Sequence, residues 1–213
     1  VVIGGGTSGI TTYEALLDAL QTGGTSADAP TLITLGGNIT VPAGGDYDTP
    51  PINGSGHFKI DGGGHTLACE AGSYYFLGNA NTDADAVYIE LTNIKLVQAP
   101  NLYSAVVGVC NGRITLGGNV ILDGNGDMPV IVVSDEKAAL ELGDGCELSY
   151  AAGSSGCAKV VEGATLVLNG GKIADGTYIN LHCILPVSNP LISVPKALTD
   201  DCLLYTSDAA DDR

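Results

Sequence analysis

The chain has 213 residues, with 24 acidic against 8 basic side chains and a net charge of −16, and a polyanion of that density does not hold a phosphate backbone, which sets nucleic acid aside as a partner. Its 31 glycines are roughly twice the usual ~7% share, and with no tryptophan and abundant Val, Ile, Leu and Thr they point to many short strands joined by tight turns. No run of about twenty apolar residues occurs, so no membrane-spanning helix is expected.

The first ten residues, VVIGGGTSGI, place Gly4, Gly6 and Gly9 in a G-x-G-x-x-G pattern after a short apolar run and before a helix. In that setting the glycines let the pyrophosphate of a flavin or nicotinamide nucleotide approach a helix N-terminus. The next strand signal, however, ends in Gly36-Gly37 rather than in an acid for the ribose, and no further strand-helix-strand units follow. Residues 1–10 therefore read as a glycine-rich leader, with a flavin or nicotinamide enzyme as an alternative. Residues 11–24 read as a capping helix. Tyr13, Leu16, Leu17 and Leu20 follow the i, i+3, i+4, i+7 spacing of one apolar face, Thr11-x-x-Glu14 forms a capping box, and Gly23-Gly24 supplies the stop.

From 31 to 201 the organising feature is a repeat. The segments ITLGGNITV (33–41) and ITLGGNVIL (114–122) are nearly identical, and degenerate copies begin at Phe58, Ile89, Leu140 and Leu166. Taking the second aliphatic of each copy as anchor gives Leu35, Ile60, Leu91, Leu116, Leu142 and Leu168, spaced at a period in the twenties apart from one longer gap. Alternation on either side of a glycine corner is a strand-turn-strand signal. A fixed period of that length means that each copy is one coil of a solenoid and buries its apolar face only by stacking on its neighbours. The helix and consensus of leucine-rich repeats are missing, so a parallel β-helix fits, with the anchors in one column at the ~4.8 Å interstrand spacing. Asn38 and Asn119 share an offset from their anchors and suit left-handed turn geometry or a side-chain ladder. The long gap predicts a projecting loop over 73–86. An open solenoid end exposes strand edges and core, so the amphipathic helix is a lid.

The succession TTYEALLDALQ, LITLGGNITVP and FKIDGGGHTLAC, with the later TLVLNGGKIADG, resembles pectate-lyase-like right-handed β-helix repeat proteins of the bacterial cell surface. The resemblance implies an all-β, right-handed parallel β-helix with an N-terminal amphipathic capping helix. It also implies an extracellular or cell-surface location and a non-catalytic role as stalk or adhesin-like module of a secreted or wall-anchored protein, in contact with carbohydrate or a host surface. The same superfamily includes polysaccharide lyases and glycoside hydrolases, which stand as the alternative. These motifs describe scaffold and carry no chemistry.

Few residues point to chemistry directly. Asp123, Asn125 and Asp127 set oxygens at alternate positions as calcium loops do, and Asn79, Asn81, Asp83 and Asp85 are similar in kind. A lyase or hydrolase needs acids and a cation converging on one outer face. Outside the last residue Arg113 is the only arginine, and His57, His65 and His182 have no partner at a diagnostic spacing. No catalytic site is expected. The cysteines show no C-x-x-C pair and read as small buried hydrophobes rather than zinc ligands, with Cys157 and Cys183 one period apart and expected to be close. Residues 202–213, CLLYTSDAADDR, match one reading frame of a short-read sequencing adapter. They are read as an artefact at the edge of a metagenomic fragment and are expected to pack on nothing, apart from contact of Leu203, Leu204 and Tyr205 with the exposed last coil.

Overall fold

The computed structural model describes residues 2–3, 9–44, 55–70, 77–79, 85–98, 105–124, 129–150, 158–161, 163–174, 179–182, 191–196 and 205–206. In chain order the elements are β1 (Val2–Ile3), α1 (Tyr13–Leu20), β2 (Thr31–Thr34) and β3 (Ile39–Val41). The next two rungs contain β4 (Gly56–Asp61), β5 (Thr66–Cys69), β6 (Leu77–Gly78), β7 (Val87–Val97) and β8 (Val107–Val109). Then come β9 (Gly112–Asp123), β10 (Ile131–Ser134), β11 (Ala138–Leu142), β12 (Glu147–Tyr150) and β13 (Ala158–Val161). The last rungs hold β14 (Thr165–Asn169), β15 (Lys172–Ile173), β16 (Ile179–His182), β17 (Leu191–Lys196) and β18 (Tyr205–Thr206).

The strands stack into a parallel β-helix. The first face runs β1, β2, β4, β7, β9, β11, β14, β17. Past a corner, β3, β5, the later halves of β7 and β9, β12 and β15 form the second. A separate sheet, β6, β8, β10, β13, β16, β18, makes the third. The burial pattern of β7 alternates along the strand because successive side chains of a strand point to opposite faces. The inward ones form columns, among them Ile60, Leu91, Leu116, Leu142 and Leu168, joined rung to rung by register and all buried.

The column departs from expectation at its start. Ile33, not Leu35, lies beside Ile60. Leu35 already belongs to the corner, its N–H donating to the carbonyl of Asp61. Both residues face inward and are buried, so alternation cannot distinguish them; the corner of the next rung is longer by one residue, since Ile33 and Ile39 lie beside Ile60 and Leu67. The corners need left-handed backbone, which Gly63, Gly64, Gly118 and Gly145 adopt at φ of 59, 80, 64 and 77°. Asn93 supplies it at φ 50°, at the register shift between β7 and β9. Asn38, by contrast, stays out of that region, and its Oδ1 accepts from the Thr66 N–H at 2.9 Å. That bond ties one corner to the next.

Helix α1 closes the core, with Leu16, Ala19 and Leu20 buried. Leu16 meets Leu35, Ile60, Leu91 and Ile94 around a space with no room for a water molecule. Its N-cap is Thr12, whose side chain accepts from the Ala15 N–H, so the expected capping box at Thr11 does not form. Nor do Gly23 and Gly24 end the helix, which stops at Gln21. They are pressed against backbone: a Cβ on Gly23 would lie 2.2 Å from the Ser55 carbonyl oxygen, and one on Gly24 2.0 Å from that of Ala29.

Three further expectations change. The leader is part of the sheet, since β1 pairs in parallel with β2 and Ile10 bridges Leu35. The span 73–86 is not simply a projecting loop, because it contains β6, which pairs with β8 on the third face. Within 202–213, Tyr205 and Thr206 pair in parallel with Asn180 and Leu181 of β16, so contact with the coil includes backbone pairing at Tyr205 and extends to Thr206.

Candidate functional site

The outward positions of three adjacent rungs on the first face converge on one groove. His57 and Lys59 lie on β4, Tyr88 and Glu90 on β7, and Arg113 and Thr115 on β9. The register aligns His57 with Tyr88 and Arg113 in one row, and Lys59 with Glu90 and Thr115 in the next. Because i and i+2 share a face, each rung contributes one residue to each row. Ala27 and Pro30, just ahead of β2, wall the groove on the β2 side, and its volume is about 300 Å³.

The His57 and Tyr88 rings stack with centroids 4.3 Å apart and planes within 5°. That separation is close to the rung spacing, so the rings stand on edge with their faces along the solenoid axis. Tyr88 remains 39% exposed, as does Leu32, at 37%, on the same face. The charges are paired. Lys59 Nζ lies 2.6 Å from Glu90 Oε1 and Arg113 Nη1 2.6 Å from Glu141 Oε2, while Glu141 Oε1 accepts from Asn169 Nδ2 at 3.0 Å. Arg113, Glu141 and Asn169 thus form a diagonal chain of contacts that ties three rungs together. Exposed pairs of this kind contribute only about 0–1 kcal/mol to stability; their effect here is to leave the groove close to neutral within a strongly acidic chain.

This arrangement suits binding better than proton transfer. Glu90 and Glu141 belong to the same row two rungs apart, about 10 Å by the interstrand spacing, and each faces a cation. General acid and base work needs titratable groups converging on a reacting bond.

The residues singled out from sequence fall elsewhere. Asp123 Oδ2 is 2.5 Å from Lys95 Nζ, while Asn125 and Asp127 lie outside the described residues. Among the described residues no group of three or more His, Cys, Asp and Glu side chains is placed to hold a metal ion. Asn79 is buried and serves backbone instead of calcium: its Oδ1 accepts from the N–H of Cys110 and Asn111, and its Nδ2 donates to the carbonyls of Asp85 and Asn111, at 2.7 to 3.1 Å. Gly4 and Gly6 are outside the described residues. Gly9 lies against Gly36, where a Cβ would meet its backbone N at 2.6 Å, and helix α1 begins only at Tyr13, so backbone packing accounts for this glycine without a pyrophosphate. His65 is a corner residue, donating its N–H to the Gly62 carbonyl. Cys69 and Cys146 are free thiols, and Cys110 Sγ lies 3.3 Å from Ser134 Oγ; Cys157, Cys183 and the side chain of His182 are outside the described residues.

The groove itself escaped sequence reasoning, although a signal existed. His57, Tyr88 and Arg113 each stand three residues before an anchor, and Lys59, Glu90 and Thr115 one before it. Reading outward positions down the repeat, as was done for the inward ones, assembles both rows and gives His57 its partner one rung away.

Compared with known proteins, the chain matches no family model, no curated protein and no solved structure.

Proposed function

We propose that this chain is a non-catalytic segment of a secreted or wall-anchored bacterial surface protein of the pectate-lyase-like kind, a stalk or adhesin-like module that contacts glycans through the first face. The observation that carries this reading is the groove crossing three rungs, where the edge-on His57 and Tyr88 rings and paired ions offer both apolar surface and hydrogen-bond donors and acceptors. Sugars present the same mixture, with C–H faces and hydroxyls on one chain. A shallow groove on a rigid stack of strands suits reversible contact. It does not enclose a substrate, and its carboxylates are held by cations rather than aimed at a common point.

The test is affinity electrophoresis of the whole chain through gels containing neutral and acidic polysaccharides, alongside assays for uronate lyase products and new reducing ends. Retardation by at least one polysaccharide is expected, lost in Tyr88→Ala and kept in Lys159→Ala on the third face, with no product released. Cleavage abolished by Arg113→Ala or Glu90→Gln would replace this reading with a polysaccharide lyase or glycoside hydrolase.

A further inference from the structure

The geometry points to a neutral, linear glycan lying parallel to the solenoid axis, with acidic polymers rejected, as the occupant of the first-face groove; this rests on the glycan reading and narrows it. Three observations carry it. The first is the pairing of the groove's cations: Lys59 is held by Glu90 and Arg113 by Glu141, each at 2.6 Å. A uronate carboxylate would have to displace one of these glutamates and leave it uncompensated, in a chain of net charge −16 whose field already repels polyanions. A neutral hydroxyl has no such conflict. It donates to a glutamate oxygen and accepts from the neighbouring ammonium or guanidinium, so an intact ion pair matches an uncharged diol.

The second is direction. The His57–Tyr88 stack and the Lys59–Glu90 pair each join β4 to β7, and the Arg113–Glu141 pair joins β9 to β11, so each contact runs along the axis and the second ion pair lies about 10 Å further along it than the first. A polymer laid along the axis meets them in succession, whereas one laid across a rung meets a single pair. The third is apolar surface: Tyr88 and Leu32 are the exposed large hydrophobics among the described residues, and both lie on this face, where C–H groups of a sugar bury them without charge. The groove spans two rung steps, about 10 Å, which sets the length of chain recognised at about three sugars.

The test compares the whole chain on a neutral β-glucan, a xylan and polygalacturonate, at low and high salt, by affinity electrophoresis and by calorimetry with oligosaccharides of increasing length. The expected result is binding to a neutral polymer that changes less than about twofold with salt, because no net charge is neutralised, and affinity that rises with chain length to about three or four sugars and then levels, as the groove fills. Tyr88→Ala should weaken it about tenfold, with circular dichroism confirming the fold. Tyr88→Phe, which keeps the ring in its stack, should retain it. Glu90→Gln with Lys59→Met, which removes one pair whole, should weaken neutral binding without creating affinity for polygalacturonate. Binding to polygalacturonate alone, abolished by salt, would overturn the neutral class and leave the glycan reading standing. Failure to bind any polysaccharide would overturn both.

Discussion

Asn79 shows what a single side chain does inside this coil. Its amide bonds four backbone groups of two neighbouring segments at a place where the chain turns between faces, and it is 2% exposed. Replacing it by alanine strands buried donors and acceptors, so Asn79→Ala should lower the unfolding free energy by about 3 kcal/mol, read from urea denaturation. Asn79→Asp should cost a similar amount, since a carboxylate has no N–H for the carbonyls of Asp85 and Asn111. The buried thiols act in another way. Burial pushes the Cys69 thiol up to about 12, and burial together with the neighbouring Glu147 charge does the same for Cys146. An unfolded thiol loses its proton from about 8.5, so above that pH the native state binds more protons than the unfolded one. Their contribution to stability is complete below that pH and declines as pH rises toward about 12. Urea midpoints should fall along this alkaline limb, and Cys69→Ala with Cys146→Ala should flatten it; an unchanged limb would place its origin in other groups.

At the scale of elements, α1 is the lid that its apolar spacing announces. Leu16 reaches the same core space as Leu35, Ile60 and Leu91, so Leu16→Ala should destabilise the chain by about 2–5 kcal/mol, whereas Thr12→Ala, which removes only the N-cap bond, should cost about 1 kcal/mol. A larger effect at Thr12 than at Leu16 would show that the helix is held by its own start and not by the core. The strands show which features a sequence makes legible. Inward columns were readable because aliphatic residues recur at a period, and the register from Ile60 to Leu168 follows from that spacing. The slip at Ile33 was not, because Leu35 shares its parity and glycines follow it at the corner in either alignment. The third face was also invisible: Val107–Val109 and Ile131–Ser134 are short apolar runs without the glycine corner that marks the other two. The groove was legible in principle, yet polar outward residues vary in type from rung to rung and only the register reveals them as rows.

For the whole molecule, the arrangement is one-dimensional: each rung rests on the two beside it, and the described strands all pair in parallel with neighbours one rung away. Ladder hydrogen bonds in such a stack point along the axis, so tension applied between the two ends of the described chain does not shear a whole sheet at once. It peels. The outermost rung carries the load alone until it lets go, and the next inherits it. Pulled in an optical trap, the protein should lengthen in a series of similar steps at modest force, each paying out the 26 residues that separate stacked positions such as Leu116 and Leu142, about 90 Å of extended chain. A single rip releasing the full length would contradict this. Stepwise yielding would let the chain absorb a tug at one end while the groove across β4, β7 and β9 keeps its shape until the loss of rungs reaches it.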